Sequence, residues 1–149
     1  MYHYLMYVSY AAHPLSDKDL EELLSASRKN NESLNVTGML LYIDGKFIQV
    51  LEGKKEIIND LYSTIVADPR HKKVNKIIEG KTLERNFPEW NMGFKSISGK
   101  DYHNIPGFNN IEEYFMSHQV DENSHVTLIF LRLFYNKYFN KESSVVNRQ

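Results

Sequence analysis

The chain has 149 residues, with 18 Lys and Arg against 19 Asp and Glu, for a formal net charge of −1. That balance gives no electrostatic reason to expect nucleic acid or an anionic membrane as a partner. The absence of cysteine excludes disulfides, thiolate metal sites and cysteine-based catalysis.

The 42% hydrophobic content can bury an ordinary core, and the length suits one domain with an appendage. No apolar run approaches a membrane span, and the N-terminus lacks a basic segment followed by an apolar one. A cytoplasmic protein is expected.

In chain order, Tyr2 to Tyr10 predicts a strand from its aromatic content and Val8. Leu5, Tyr7 and Ser9 share one face of it; Tyr4, Met6, Val8 and Tyr10 share the other. Ser16 is a plausible N-cap, with Asp17 and Asp19 in the first turn. Leu20, Leu23, Leu24 and Ser27 then follow helical spacing to about Lys29. Asn30-Asn31 reads as the end of that helix, since Asn tolerates a left-handed backbone. A hairpin follows: Val36-Thr37 and Met39 to Ile43, a turn at Asp44-Gly45, then Phe47 to Leu51.

A second helix is predicted from Lys55 to Ala67, with Ile57, Ile58, Leu61, Tyr62, Ile65 and Val66 as its apolar stripe. Asp68-Pro69 stops it. Val74 to Leu83 reads as a fourth strand and Trp90 to Ile97 as a fifth. The order βαββαβ plus one strand predicts an α+β, ferredoxin-like sheet with both helices on one face. The other sheet face is apolar and needs a cover. A short helix capped by Asn110, with Glu113 in its first turn, and a longer one from Ser124 to Phe139 are expected to supply it or a subunit contact. The longer helix carries Val126, Ile129, Phe130, Leu133, Phe134 and Tyr138 at helical spacing. Residues 1–98 thus form the main unit, 99–140 a helical extension and 141–149 a disordered tail.

Gln49 is a primary amide inside the apolar run Phe47 to Leu51. A buried amide without partners costs about 1–3 kcal/mol, so it must be hydrogen-bonded or reach water. Alone it would suit a solvated edge strand, and Tyr7 alone would suit core packing with its hydroxyl at the rim. Together with Asn30 and Asn31 they set a phenol and several amides around one slot, a setting for a planar ligand with polar edges. Leu23, Leu24, Ile57, Leu61 and Ile65 are the expected walls.

Six short motifs recur in order: Leu5-x-Tyr7-x-Ser9; Ser27-Arg28-x-Asn30-Asn31; Thr37-Gly38-Met39-Leu40; Phe47-x-Gln49-x-Leu51-Glu52-Gly53; Asp68-x-Arg70-His71; and Arg85-x-Phe87-x-x-Trp90-x-Met92. On these the chain resembles the BLUF domain family, blue-light sensors that use a flavin, from Tyr2 to about Phe94. The resemblance implies non-covalent FAD, with FMN or riboflavin as the other flavins open, its ring lying between the two helices. It makes Tyr7 the photo-oxidised tyrosine and Gln49 the glutamine linking it to the ring. Asn31 would pair with the C4=O and N3–H edge, Asn30 would be a neighbouring contact, and Leu23 and Ile65 would sandwich the ring. Asp68, Arg70 and His71 would hold the ribityl and phosphate portion, or else be a solvated helix end. Trp90 and Met92 would relay the signal from strand five. Tyr4 departs from the arginine many members carry there.

The implied mechanism is a hydrogen-bond switch: Tyr7 gives an electron and, through Gln49, a proton to the excited flavin, and the reversal leaves the Gln49 amide reoriented or tautomerised. A small red shift follows, and no cysteine adduct is needed. The chain shows no P-loop or metal-ligand motif, so a sensor that is not itself an enzyme is expected, acting on a downstream protein or through a homo-oligomer. The competing readings are a small flavin reductase and a ferredoxin-like binding module without flavin.

Overall fold

The computed structural model describes residues 1–43, 45–87, 93–96 and 125–139. Its elements are β1 (Tyr2–Ala11), α1 (Asp17–Ser33), β2 (Thr37–Ile43), β3 (Lys46–Gly53), α2 (Lys55–Ala67), β4 (His71–Thr82), β5 (Gly93–Ser96) and α3 (Val126–Phe139). The strands form one sheet in the order β4-β1-β3-β2-β5. All neighbours are antiparallel except β2 and β5, which run parallel. This is the expected α+β, ferredoxin-like arrangement with a fifth strand added at the β2 edge.

Alternation along the strands decides what faces the helices. Leu5 and Tyr7 of β1, Leu40 and Tyr42 of β2, and Phe47 and Leu51 of β3 join Leu20 and Leu24 of α1 and Ile58 of α2 in one buried core. Both helices therefore pack on one face. The opposite face carries Met6, Met39, Leu41, Ile48 and Val50, all fully buried. Burying a side chain of this kind contributes about 1.5–3 kcal/mol, so the sheet core dominates the stability of this unit.

Two boundaries differ from the sequence reading by three residues or more. Helix α1 starts as expected, with Ser16 accepting from Asp19 N–H at 3.1 Å, but it runs four residues past Lys29. The left-handed residue that ends it is Asn35 (φ 56), not Asn30 or Asn31. Asn35 N–H bonds Glu32 O at 3.2 Å and Val36 N–H bonds Asn31 O at 2.8 Å, the pairing of a Schellman motif. β4 begins at His71 rather than Val74, because the Asp68-Pro69 turn is tight: His71 N–H returns to Asp68 O at 3.0 Å. β5 is described only over Gly93–Ser96.

Ile43 and Lys46 are register partners, leaving a two-residue turn in which Gly45 takes φ 79; Asp44 lies outside the described residues. Gly38 is required by contact, since a Cβ there would lie 1.9 Å from Val50 O.

Contacts divide the chain into two units, residues 1–110 and 111–149. Within the second, α3 buries Thr127 and Leu131 and leaves Leu133 59% exposed. Of the expected stripe, Val126, Ile129 and Phe130 are partly buried and Leu133 is exposed, while the side chains of Phe134 and Tyr138 lie outside the described residues. The sequence VTLIFLRLFYNKYF is apolar nearly all round, so its periodicity does not single out a face. The expected helix at Asn110 and Glu113 and the tail at 141–149 lie outside the described residues. No helix among the described residues is long and apolar enough to cross a membrane.

Candidate functional site

β1 and β3 pair with Tyr7 directly opposite Gln49, so both side chains leave the sheet on the helix side. The Tyr7 hydroxyl donates to Gln49 Oε1. Tyr7 is 1% exposed and Gln49 7%. Burial, with smaller contributions from Tyr62 and Asp68, pushes the Tyr7 phenol well above the usual phenol range. Tyr7 is consequently a neutral hydrogen-bond donor at any ordinary pH. The acceptor in contact with its hydroxyl proton is Gln49 Oε1.

A cavity of about 250 Å3 opens beside this pair. Leu23, Ser27, Asn30 and Asn31 line it from α1, at the i, i+4, i+7, i+8 spacing of one helix face. Leu61, Thr64 and Ile65 line it from α2. Leu40, Phe47, Gln49 and Leu51 form its sheet side, and Asp68, Arg70 and His71 lie at its α2 end. Leu24, in the buried core, and Ile57, packed against it, are expected as walls but do not line the cavity.

Asn31 is 3% exposed. Its backbone carbonyl is fixed by Val36 N–H, which aims the side chain from the last turn of α1. Asn30, one residue earlier, is exposed and reaches the cavity from its rim.

At the far end Arg70 grips Asp68 with Nη2 at 2.6 Å and Nε at 3.0 Å. That bond holds the Asp68 carboxyl below the usual carboxylate range. His71 is half-buried at the start of β4, with Nδ1 hydrogen-bonded to Ser9 Oγ at 2.8 Å. Burial pushes its imidazole below the ordinary 6.5, against the pull of Asp68. Its ring meets those of Phe47 and Tyr7 at centroid distances of 5.0 and 6.4 Å.

The sequence reading placed Tyr62, whose ring lies 5.8 Å from that of Tyr7, only in the apolar stripe of the second helix. It also missed the Ser9–His71 bond, because that bond depends on β4 starting at His71. The β1–β4 ladder is irregular between Met6 and Tyr7 and between Val8 and Tyr10, a local break that bends the strand beside the site. Tyr4 turns to the opposite face, with its hydroxyl over Gly80. Trp90 and Met92 lie outside the described residues. Among the described residues no group of His, Asp and Glu could hold a metal ion.

The lining has the chemistry of a flat heteroaromatic site. Aliphatic side chains from two helices face the cavity, the amide residues Asn31 and Gln49 stand at its border, and the Arg70–Asp68 ion pair lies at one end.

The chain matches the BLUF family, described as sensors of blue light using FAD, over residues 2–93. It is 39% identical over 89 residues to photoactivated adenylate cyclase subunit beta of Euglena longa, covering 59% of this chain and 10% of that one. The chain thus spans about a tenth of that relative's length. Among solved structures, the BLUF protein BlrB in its dark state is similar at a TM-score of 0.61 and 33% identity, over 64% of this chain and 72% of that one. BlrP1 of Klebsiella pneumoniae, with FMN and cyclic diGMP, is similar at a TM-score of 0.69 and 27% identity, over 91% of this chain and 34% of that one. With the family match covering most of the chain, the protein belongs to the BLUF family of flavin-using blue-light sensors.

Proposed function

We propose that this chain is a photoreceptor that holds FAD non-covalently between α1 and α2 and switches through Tyr7 and Gln49. The observation that carries the reading is the buried Tyr7–Gln49 hydrogen bond on the sheet side of the cavity. Leu23 and Ile65 would contact the ring faces, Asn31 its polar edge, and Asn30, Asp68, Arg70 and His71 the tail and rim.

Excited by blue light, bound flavin supplies a strong oxidant. Everything else falls to the protein. Tyr7 supplies the electron, and its proton leaves along the existing bond to Gln49 Oε1. Gln49 has one acceptor and one donor end, so it can pass a proton on or turn over. When electron and proton return, Tyr7 is again a neutral phenol, and the Gln49 amide keeps the memory as a changed orientation or tautomer. Tyr7 and Gln49 are themselves buried, so the changed hydrogen bond would form away from bulk water and would persist in the dark for a finite time.

The output is proposed to be a contact with a downstream protein or a change of oligomeric state, with Trp90 and Met92 in the relay and no reaction catalysed by this chain. A relative is a photoactivated adenylate cyclase by name, which supports light-driven control of an effector in this family. The test is optical. Purified protein should be yellow, and blue light should red-shift its flavin bands reversibly. Chromatography of the released flavin identifies FAD or FMN. A colourless protein overturns the reading, and bleaching by NADH would favour a reductase.

A further inference from the structure

Glu52 is the buried acid that the proposed switch does not use. It sits three residues beyond Gln49 on β3 and so on the other face of the sheet. It is fully buried, and its partners all come from outside its own strand. Oε2 accepts from Asn86 N–H at 2.7 Å and from Asn86 Nδ2 at 3.0 Å. Oε1 accepts from Phe87 N–H at 2.8 Å and from Thr37 Oγ1 at 3.4 Å. Arg85 closes the cluster, donating to Thr37 Oγ1 at 2.8 Å, Glu52 O at 3.1 Å and Asn35 O at 2.7 Å.

The topology makes this cluster consequential. β3 is the central strand and β5 the edge, with β2 between them, so β3 has no backbone ladder to β5. The Glu52 side chain reaches past β2, meeting it only at Thr37. It fixes two successive backbone N–H groups of the segment from which the chain runs on to β5, and Phe87, next to those bonds, is 1% exposed. A shift of β3 that follows a change at Gln49 therefore moves the acceptors of Asn86 and Phe87 directly. We propose that Glu52 is a positioning residue that couples the state of β3 to the segment 85–87 and through it to β5. This rests on the photoreceptor reading and names its route out of the site.

The experiment is hydrogen exchange of the full chain with its flavin, dark against illuminated, alongside the absorption spectrum. Wild type should show the red shift and a light-induced change in exchange at Asn86, Phe87 and 93–96. Glu52→Gln offers one acceptor oxygen in place of two. It should keep flavin and red shift while losing the exchange difference. A merely structural clasp would raise exchange equally in dark and light, leaving the difference in place, and that result overturns the coupling. If Glu52→Gln fails to fold, Glu52→Asp decides, since it keeps the carboxylate and draws it back from the Asn86 and Phe87 N–H groups. An attenuated difference supports the coupling, and an unchanged one overturns it. Absence of a red shift in wild type overturns the photoreceptor reading itself, and the coupling with it.

Discussion

Tyr7 of β1 and Gln49 of β3 are register partners on the helix side of the sheet, and the phenol of one donates to the amide oxygen of the other. Neither residue is placed by a loop. Two antiparallel strands with core side chains on both sides hold the pair, so its geometry is as rigid as the sheet.

The first expectation concerns the amide. Gln49→Leu keeps the volume and removes both the acceptor for Tyr7 and the donor end. It should retain flavin and lose the light-induced red shift. The orphaned, buried Tyr7 hydroxyl should lower stability by about 1–3 kcal/mol, which a denaturant titration measures. A normal red shift in this variant would mean that the switch lies elsewhere.

Asn31→Ala tests the polar edge. The helix end should survive, because the Schellman bond uses the Asn31 backbone carbonyl. Losing two side-chain hydrogen bonds, at about 0.5–1.5 kcal/mol each, should weaken flavin binding by roughly tenfold or more. Equilibrium dialysis reads this, and unchanged retention would remove Asn31 from the ring contact.

Gly38→Ala tests the sheet that carries Gln49. The new Cβ would meet Val50 O at 1.9 Å, and both are backbone-fixed. Overpacking of this kind costs about 1–3 kcal/mol, and β3 must shift to relieve it. A lowered Tm with a slowed or lost red shift is expected; a wild-type Tm would show that the strands separate freely there.

His71 sets a pH dependence. Its folded pKa is depressed below the ordinary 6.5 by burial. Its contribution to stability is therefore present above 6.5 and is lost as pH falls below it, because the unfolded chain takes up the proton first. Tm should drop between about pH 7 and pH 5, and His71→Gln should be less sensitive over that window. Asp68 is separated from this effect, since its carboxyl titrates below 3.8. An equal acid response in His71→Gln would assign the effect to another group.

Much of this fold was legible because strand alternation and helix spacing are local. Tyr7 and Gln49 could be set on one face by parity alone, and the Asp44-Gly45 turn fixed the hairpin between β2 and β3. The end of α1 was not legible, because Asn30, Asn31 and Asn35 are all residues that accept a left-handed backbone, and only tertiary packing decides which one does. His71 was read as near a helix end because the brevity of the Asp68-Pro69 turn depends on β1 pairing. The Glu52 cluster joins residues some 34 positions apart, and no periodicity announces a contact of that separation. The exposure of Leu133 in α3 was not legible for the opposite reason, since the helix has too many apolar residues for spacing to single out one face.

The most direct measurement is the light-minus-dark absorption spectrum of purified wild type and Tyr7→Phe, recorded at equal flavin content. The account predicts a reversible red shift in wild type that recovers in the dark, and no shift in Tyr7→Phe with the flavin still bound. A Tyr7→Phe protein that shifts and recovers like wild type would contradict it.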